Sequence, residues 1–346
     1  MPHPKISVIV PVYNAGAFFK KRLDTLIHQT LKEIEIILIL DCPPDGSARI
    51  AEEYAGRDER IVIVRNPHNL HIGLSRNEGL KKASGEYISF SDHDDYSELD
   101  MFEKMYAKAK ETDADIVVSD FYGKSEKECS FFGFPADDPH FLQHSFSYLI
   151  SGPRYKKNRR AITSNGLIWN QIYRRQFLFD HHLIFPDNRK ITFEDRVFLI
   201  GAYYHARKIT VVPEAFYYHI YHKGSAGSNY TFRSIDLVIN YLLFVHRFLE
   251  NHGISERESL PYSDGVLLTL YSAFRNELRH KSVKQAFAEL SKIRNNSVLQ
   301  QALRNFFSFR NFKQLRKYRI TKLCFLLLNL RFSKRIADRN HRTKTL

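Results

Sequence analysis

Short apolar runs alternate with helix-like segments through the first 120 residues, and this pattern limits the fold more than any other feature. The runs have the length of buried strands and occupy residues 6–10, 34–40, 61–64, 87–90 and 116–118. Between them, segments such as 18–29 and 47–54 place apolar residues at helical spacing. Strands that alternate with helices form a mostly parallel sheet with helices on both faces. The sequence therefore predicts an α/β fold.

Polar residues follow each of the first four strand candidates. Tyr13 and Asn14 come after the first, Asp41 after the second, Asn66 after the third, and the run 92–95 after the fourth. In open parallel sheets, ligands bind outside the carboxyl ends of the strands, so these side chains should share one crevice. The first strand is not followed by a G-x-G-x-x-G sequence, which disfavours a dinucleotide site.

The size and composition fit one large domain with a smaller addition, since 43% of the 346 residues are hydrophobic. The three cysteines, Cys42, Cys129 and Cys324, are widely spaced and form no C-x-x-C pair. This argues against a disulfide framework or a thiolate zinc site, and suits a reducing cytoplasm. Residues 1–5 lead directly into the first strand, and no run of about 18 apolar residues occurs. We therefore expect neither a signal peptide nor a membrane-spanning helix.

A helical pattern dominates from about residue 234 onward. Apolar residues of one face recur there at helical spacing, namely Val238, Tyr241, Leu242, Val245, Phe248 and Leu249. Residues 121–190 are irregular and rich in aromatic and basic side chains. We predict a first domain of residues 1–230 and a helical C-terminal region of residues 231–346.

The formal charge of +14 is concentrated near the C-terminus. Residues 313–344 contain eleven Lys or Arg residues and one acid, Asp338. Such a surface attracts anionic partners, either lipid headgroups or nucleic acid. The bases flank the apolar run 323–328, a pattern typical of a helix that lies in a bilayer interface. We favour this interpretation; the alternative is a terminal helix packed on the first domain with a solvated tail.

The run Asp92-His93-Asp94-Asp95 is the sharpest local signal. Three carboxylates within four residues repel one another unless a cation or solvent separates them. Mg²⁺ and Mn²⁺ favour oxygen ligands, and they commonly bind one or two carboxylates together with substrate phosphates. The alternative is a solvated turn in which Asp95 caps a helix at about residues 98–110. The position at the end of a buried strand favours the metal site.

Glu194 and Asp195 form the second carboxylate pair, in an aromatic and aliphatic setting. Such a setting can raise the pKa of a carboxyl group and position a general base. The pair could instead open a helix that runs through residues 197–205, where acids favour the helix dipole.

The segment 217–225 combines aromatic side chains, imidazoles and a lysine. It could clamp a diphosphate or complete a metal shell, with His222 as the candidate ligand. It could equally be a strand with Tyr and His exposed on one face. Earlier in the chain, Arg76 precedes a helix-like stretch, where a guanidinium near the crevice would suit phosphate or base recognition. The alternative is an ordinary surface arginine.

The motifs resemble, in order, those of glycosyltransferase family 2, the inverting bacterial enzymes of the GT-A fold. They are the stretches at 7–14, 29–30, 45–47, 76–79, 85–90 and 92–95. The resemblance is strong over residues 4–120 and weaker at 169–174, 194–195 and 217–225. It implies a GT-A fold in which residues 1–120 bind a nucleotide sugar and residues 121–230 bind the acceptor and hold the base.

The resemblance also implies roles for particular residues. Pro11, Tyr13 and Asp41 would line the nucleotide-base pocket with Arg76 nearby, and Asp92 would approach the ribose. Asp94 would hold Mn²⁺ or Mg²⁺ on the donor diphosphate. Asp195 would be the catalytic base beside Glu194. Trp169 and Asn170 would lie where such enzymes shape the acceptor end of the cleft.

Three positions depart from the family pattern. The second strand usually ends in two aspartates, whereas Asp41 is followed here by Cys42. Base recognition would then rest on Asp41 and backbone groups. His71 stands where glycine is common, and Ile220 and His222 stand where arginines are usual.

The resemblance implies transfer of a hexose or N-acetylhexosamine from a UDP-sugar to a glycan or lipid-linked glycan during surface polysaccharide or lipo-oligosaccharide synthesis. We expect a cytoplasmic enzyme, peripheral at the inner face of the cell membrane, that does not bind nucleic acid. Two other functions stay open. A sugar-phosphate nucleotidyltransferase would normally carry a Gly-rich basic loop after the first strand, which Pro11-Val12-Tyr13-Asn14 is not. A non-catalytic polyanion binder would use the +14 charge, but no nucleic-acid module is recognisable.

Overall fold

The computed structural model describes residues 3–124, 129–131, 146, 149–150, 167–221, 234–254 and 256–307. The described residues form two compact units. The first unit contains those up to residue 149 and those from 167 to 221. The second contains residue 150 and those from 234 to 307.

The described strands of the first unit form one sheet, in the order β3-β2-β1-β4-β8-β6-β9-β5, with β7 paired to β6. They are β1 (Ile6–Val12), β2 (Ile34–Leu40), β3 (Ile61–Arg65), β4 (Tyr87–Phe90), β5 (Tyr96–Ser97), β6 (Ile116–Lys124), β7 (Cys129–Phe131), β8 (Gln171–Arg174) and β9 (Ile209–Ile220). The neighbours from β3 to β4 are parallel. β8 is antiparallel to both β4 and β6, and β9 runs parallel to β6. The five predicted strands are confirmed.

Six helices of the described residues accompany this sheet. They are α1 (Phe18–Ile27), α2 (Ser47–Ala55), α3 (His71–Lys82), α4 (Met101–Thr112), α5 (Arg175–Asp180) and α6 (Glu194–His205). Alternate residues of β1 point to opposite faces of the sheet. Val8 and Val10 share a buried cluster with Phe19 of α1 and Phe102 of α4. Ile9 faces the other side, where it meets Gly79 of α3. The predicted α/β architecture, with helices on both faces, is therefore confirmed.

The second unit is helical over its described residues. It contains α7 (Ile235–Asn251), α8 (Glu256–His280), α9 (Val283–Arg294) and α10 (Ser297–Phe307). The predicted apolar face of α7 is buried at Val238, Tyr241, Leu242, Val245 and Leu249. Across both units, none of the helices described is long and apolar enough to cross a bilayer. The basic segment 313–344 lies outside the described residues.

Candidate active site

The carboxyl ends of β1, β2, β3 and β4 bring the predicted polar residues to one edge of the sheet. Pro11 is buried in β1, and Tyr13 just beyond it exposes 46% of its surface. The imidazole Nδ1 of His93 lies 3.0 Å from the carbonyl oxygen of Pro11 and donates to it. This contact ties the run 92–95 to the end of β1. The convergence predicted from the sequence is thus what the chain forms.

The Asp41 carboxylate organises the loop after β3. Its Oδ1 accepts hydrogen bonds from the Asn66 side chain and from the Leu70 amide, both at 2.7 Å. Its Oδ2 accepts from the His71 amide at 3.0 Å. Asp41 exposes only 2% of its surface, so much of its hydrogen-bonding capacity is used within the protein. A direct contact with a nucleobase stays a prediction.

Two of the departures from the family pattern have a common structural feature. Cys42 and His71 both adopt left-handed backbone conformations, with φ of 53° and 65°. This region costs little for glycine and more for other residues. At His71, the hydrogen bonds that its amide donates to Asp41 and Asn69 hold the turn. The turn therefore forms without the glycine that is common there.

The run 92–95 divides into an outer and an inner part. Asp92 and Asp94 are half-buried at the crevice, whereas Asp95 exposes 1% of its surface. Asp95 accepts a hydrogen bond from the Ile220 amide at 2.8 Å, and its Oδ2 lies 3.2 Å from Nδ1 of His219. Burial raises the pKa of Asp95, which the contact with His219 opposes.

The alternative in which Asp95 caps the next helix is wrong. Helix α4 begins at Met101, and Asp100 occupies the N-cap position without a side-chain capping bond. Asp95 instead faces β9, where it joins two distant segments of the chain. The segment from 217 to 220 is accordingly a strand, but Tyr217 within it is fully buried rather than exposed. His222 lies outside the described residues.

A buried arginine beneath the run 92–95 was missed by the sequence analysis. Arg22 is 0% exposed and donates to the hydroxyls of Ser97, at 3.1 Å, and Ser91. Its guanidinium lies 5.3 Å from the ring centroid of Tyr217, and the Tyr217 hydroxyl accepts from the Asp92 amide at 3.2 Å. Burial lowers the pKa of Arg22, while the charges of the nearby aspartates raise it.

The sequence did contain a signal for Arg22. Phe19, Arg22, Leu23 and Leu26 recur at the i, i+3, i+4, i+7 spacing of the buried face of α1. A charge at a core position of an amphipathic helix is rarely left unpaired. The pattern therefore predicts a buried partner, although it does not say which one.

Trp169 and Asn170 are buried at the start of β8. Trp169 stacks on Tyr217 with ring centroids 4.3 Å apart and on His219 at 5.2 Å. Asn170 donates from its side chain to the Ser119 carbonyl oxygen at 2.6 Å. They expose 5% and 0% of their surfaces, so in this structure they support the floor of the site. Their predicted part in acceptor binding stays a prediction.

Helix α3 positions the segment that leads to the second carboxylate pair. Asn77 clamps the backbone of Phe185, donating to its carbonyl oxygen at 2.8 Å and accepting from its amide at 2.9 Å. The Gly73 amide donates to the Asn188 side chain at 2.8 Å. A Cβ atom at Gly73 would collide with the Pro186 carbonyl oxygen. Gly73 and Asn77 therefore support the segment 185–188, which leads to Glu194 and Asp195.

Glu194 and Asp195 open helix α6, as the structural alternative predicted, and they also lie in the crevice. Both are half-buried. Phe193 before them adopts a left-handed conformation with φ of 57°. Beneath this turn lies an aromatic cluster in which Phe185 and Phe198 stack at 4.3 Å and Phe90 meets Phe198 edge-on. Burial, with the charge of Glu194, raises the pKa of Asp195 to about 7.

Arg76 joins the two carboxylate motifs. Its Nη2 donates to Asp92 and its Nη1 to Glu194, both at 3.1 Å. Its side chain is 4% exposed and lies 5.2 Å from the ring centroid of Phe185. From the sequence, a guanidinium near the crevice would suit phosphate or base recognition. In the structure its hydrogen bonds go to the protein's own carboxylates.

A metal-binding cluster of three or more His, Cys, Asp or Glu side chains is not found among the described residues. The chemistry of the crevice nevertheless fits a hard cation. Asp92 and Asp94 supply oxygen donors at its rim, and Mg²⁺ or Mn²⁺ sites often use one or two carboxylates, with phosphate oxygens completing the shell. His222, the second predicted ligand, lies outside the described part of the chain.

A sequence comparison decides which family has this arrangement. Residues 7–179, half of the chain, match the family described as glycosyl transferase family 2. The chain belongs to glycosyltransferase family 2. The match begins at the second residue of β1 and ends one residue before the end of α5. It includes Arg76, Asp92 and Asp94 and stops before Glu194 and Asp195.

Two bacterial proteins named as glycosyltransferases are similar to this chain over part of their length. The chain is 34% identical to glycosyltransferase EpsJ of Bacillus subtilis over 219 residues, which are 62% of this chain and 60% of EpsJ. It is 32% identical to a cholesterol galactosyltransferase of Borreliella burgdorferi over 229 residues, which are 65% of this chain and 62% of that protein. The chain thus spans about three fifths of the length of these two relatives.

Solved structures of other proteins share the fold. Residues 1–349 of TarS from S. aureus, crystallised with UDP-GlcNAc, superpose with a TM-score of 0.65 at 24% identity. The match covers 86% of this chain and 81% of that one. At this level of identity the likeness establishes the fold, which is GT-A as the sequence predicted.

Proposed function

We propose that this chain is an inverting glycosyltransferase that uses a UDP-sugar donor and Asp195 as its catalytic base. The observation that carries the proposal is the placement of Asp195. Burial and the charge of Glu194 raise the pKa of Asp195 to about 7, and Arg76 links Glu194 to Asp92 across the crevice. A base with a pKa near neutrality both accepts and releases protons readily at physiological pH.

The reaction needs a nucleophile and a stabilised leaving group. Asp195 takes the proton of an acceptor hydroxyl as its oxygen attacks the anomeric carbon, and the bond to the diphosphate oxygen breaks. The new bond forms on the face opposite the leaving group, so an α-linked donor gives a β-glycoside. UDP leaves with the bonding electron pair, and negative charge develops on its phosphate oxygen.

Asp94, with His222 as the predicted second ligand, would hold a Mn²⁺ or Mg²⁺ ion on the donor diphosphate. Such an ion supplies Lewis-acid stabilisation of the departing diphosphate. The protein's own contribution at this end is the rigid support of the run 92–95. Asp95 is anchored to β9, and the Asp92 amide is bound by Tyr217.

UDP is the favoured nucleotide because the family resemblance and the TarS complex with UDP-GlcNAc both point to it. A panel of UDP-, GDP- and dTDP-sugars, tested for Mn²⁺-dependent sugar hydrolysis and for thermal stabilisation, would identify the donor. UDP-glucose and UDP-N-acetylglucosamine are the first probes. If no nucleotide sugar is turned over or stabilises the protein, the donor assignment is wrong.

The base assignment has its own test. Asp195→Asn is nearly isosteric, so it should leave UDP affinity within about threefold while lowering turnover by about 10² to 10⁴, the usual contribution of a general base. Calorimetry with UDP and Mn²⁺ would report binding, and release of UDP from the identified donor would report turnover. Near-normal turnover in Asp195→Asn would overturn the assignment.

We further propose a glycan or lipid-linked glycan acceptor met at an anionic membrane surface. The support is the basic composition of residues 313–344, with eleven Lys or Arg residues around an apolar run. Replacing Arg316, Lys317, Arg319 and Lys322 by Gln should reduce flotation with vesicles that contain anionic lipid. Equal flotation of the variant and the natural chain would contradict a role for these bases, and failure of the natural chain to float would contradict membrane association.

A further inference from the structure

The immediate neighbours of Asp195 include more charge than a single base requires. Glu194 and Arg196 lie on its own helix α6, Arg76 approaches from α3, and Tyr173 lies beneath on β8. The charge of Glu194 raises the pKa of Asp195, whereas the charges of Arg196 and Arg76 lower it. The proton affinity of Asp195 therefore depends on how these charges are balanced.

The position of Glu194 distinguishes it from Asp195. One carboxylate oxygen of Glu194 accepts from Arg76 at 3.1 Å, and its side chain is 16% exposed. Asp195 instead accepts from the backbone amide of Arg196 at 2.7 Å, within its own helical turn. A carboxylate oxygen that accepts from a buried guanidinium is already occupied in a charge-assisted hydrogen bond. Glu194 is thus unsuited to act as a second base.

Arg76 has few alternative arrangements. Its side chain is 4% exposed, its two carboxylate partners lie in different segments, and Phe185 packs against its guanidinium. The same helix α3 fixes Phe185 through Asn77. Without the Arg76 charge, Glu194 would remain half-buried beside Asp195 and would lose the cation that α3 places against it. Two adjacent carboxylates would then repel each other at low effective dielectric.

We propose that Arg76 is a positioning residue that acts on the base Asp195 through Glu194, and that Glu194 is the charged partner of Arg76 rather than a second base. The inference rests on the proposed function, because it concerns the same base. It adds that the paired acids of this motif have different tasks. One accepts a proton, and the other fixes the helix turn and the charge balance around the first.

The test measures the proton affinity of Asp195 without any substrate. A carboxyl group whose pKa is raised on folding stabilises the protein below its unfolded pKa, and this stability is lost as pH rises towards the folded pKa. The gain in melting temperature from Asp195→Asn should therefore grow from about pH 4 and level off near the folded pKa of Asp195. Melting temperatures of full-length protein pairs, with Asp or Asn at 195, would locate that point.

The pair of proteins with Asp or Asn at 195 would then be compared in four variant backgrounds and in one control background. In Glu194→Gln the levelling point should fall by about one pH unit, and in Arg76→Met it should rise by a similar amount. In Arg76→Lys, which keeps the charge, the levelling point should lie nearer that of the natural chain. In the variant that combines Arg76→Met with Glu194→Gln, the two shifts should partly cancel. Glu78→Gln is the matched control, because Glu78 forms an ion pair with Lys81 on the same helix α3.

The possible outcomes separate the two proposals. An unchanged levelling point in Glu194→Gln would overturn the inference, and this variant keeps the test decisive if Arg76→Met does not fold. A shift equal to that of Glu78→Gln would also overturn it. If the levelling points move as expected but Asp195→Asn retains turnover with its donor, the charge relationship stands and the base assignment of the proposed function falls.

Discussion

Asn77 and Phe185 are joined by two hydrogen bonds of opposite direction, which fix the backbone of Phe185 to the side chain of Asn77. The contact connects helix α3 to the segment that leads to Glu194 and Asp195. Arg76, the preceding residue, reaches both Glu194 and Asp92. One helix therefore sets the distance between the two sides of the crevice, and changes on this helix should affect catalysis more than stability.

Gly73→Ala tests the role of α3 as a support. The new Cβ would lie 2.7 Å from the Asn188 side-chain oxygen and would collide with the Pro186 carbonyl oxygen, so residues 186–188 must move. We expect turnover to fall at least about tenfold, since small misplacements of a base are costly, with a stability loss of about 1–3 kcal/mol. Gly46→Ala is the control, because nothing lies within 4 Å of its Cβ. Equal turnover in both variants would argue against this role.

The pH dependence of turnover follows from the pKa of Asp195, which is raised to about 7. Only the ionised carboxylate accepts a proton, so kcat/KM should rise about tenfold per pH unit below that value and level off above it. Initial rates with the identified donor, measured in buffers of constant ionic strength, would give the profile. A rate that stays flat from about pH 5 to about pH 8 would show that Asp195 does not titrate in this range.

Asp94→Ala should remove the response to metal. Loss of its carboxylate would leave the donor diphosphate without its predicted protein-held counter-charge, so UDP binding should no longer depend on added Mn²⁺ and turnover should fall by about 10² or more. Asp100→Ala is the control, since Asp100 follows Asp94 closely in the sequence and pairs with Lys104. Calorimetry of UDP with and without Mn²⁺ would decide the matter, and a metal-dependent signal kept by Asp94→Ala would contradict the assignment.

Arg22→Leu tests the buried support under the run 92–95. The change leaves the hydroxyls of Ser91 and Ser97 without their donor and removes a buried positive charge that lies close to the aspartates of the run 92–95. We expect a loss of about 2–4 kcal/mol in the free energy of unfolding. Lys20→Leu, on the exposed side of the same helix, should change stability by less than about 0.5 kcal/mol. Urea unfolding would measure both, and similar midpoints would refute the prediction.

Local patterns were sufficient for the elements and for the edge at which they meet. The five apolar runs predicted β1, β2, β3, β4 and β6, because a buried parallel strand needs a continuous apolar stretch. The polar residues after them converge because parallel strands end at one edge. The same patterns could not show that Asp95 is buried while Asp92 and Asp94 are half-buried, because the burial of Asp95 depends on β9, far along the chain.

The family motifs pointed to residues that lie in or beneath the crevice, but not always to the contacts that these residues make. Arg76 was expected to meet a ligand, and Asn77 was not given a role. Both bind the segment 185–194, which no spacing rule connects to them. Trp169 and Asn170 were expected near the acceptor, and their side chains are buried against Tyr217 and Ser119.

The sequence by itself determined the α/β architecture, the strand ends that carry the polar residues, and the family. The architecture and the strand ends follow from periodicity and residue type, which act over a few residues, and the family follows from the order of the motifs. Only the tertiary structure decided that Arg22 lies under the acidic run, that Asp95 faces inward, and that Arg76 divides its hydrogen bonds between Asp92 and Glu194. Such pairings depend on how distant elements pack, and the cost of burying an unpaired charge then selects the partners.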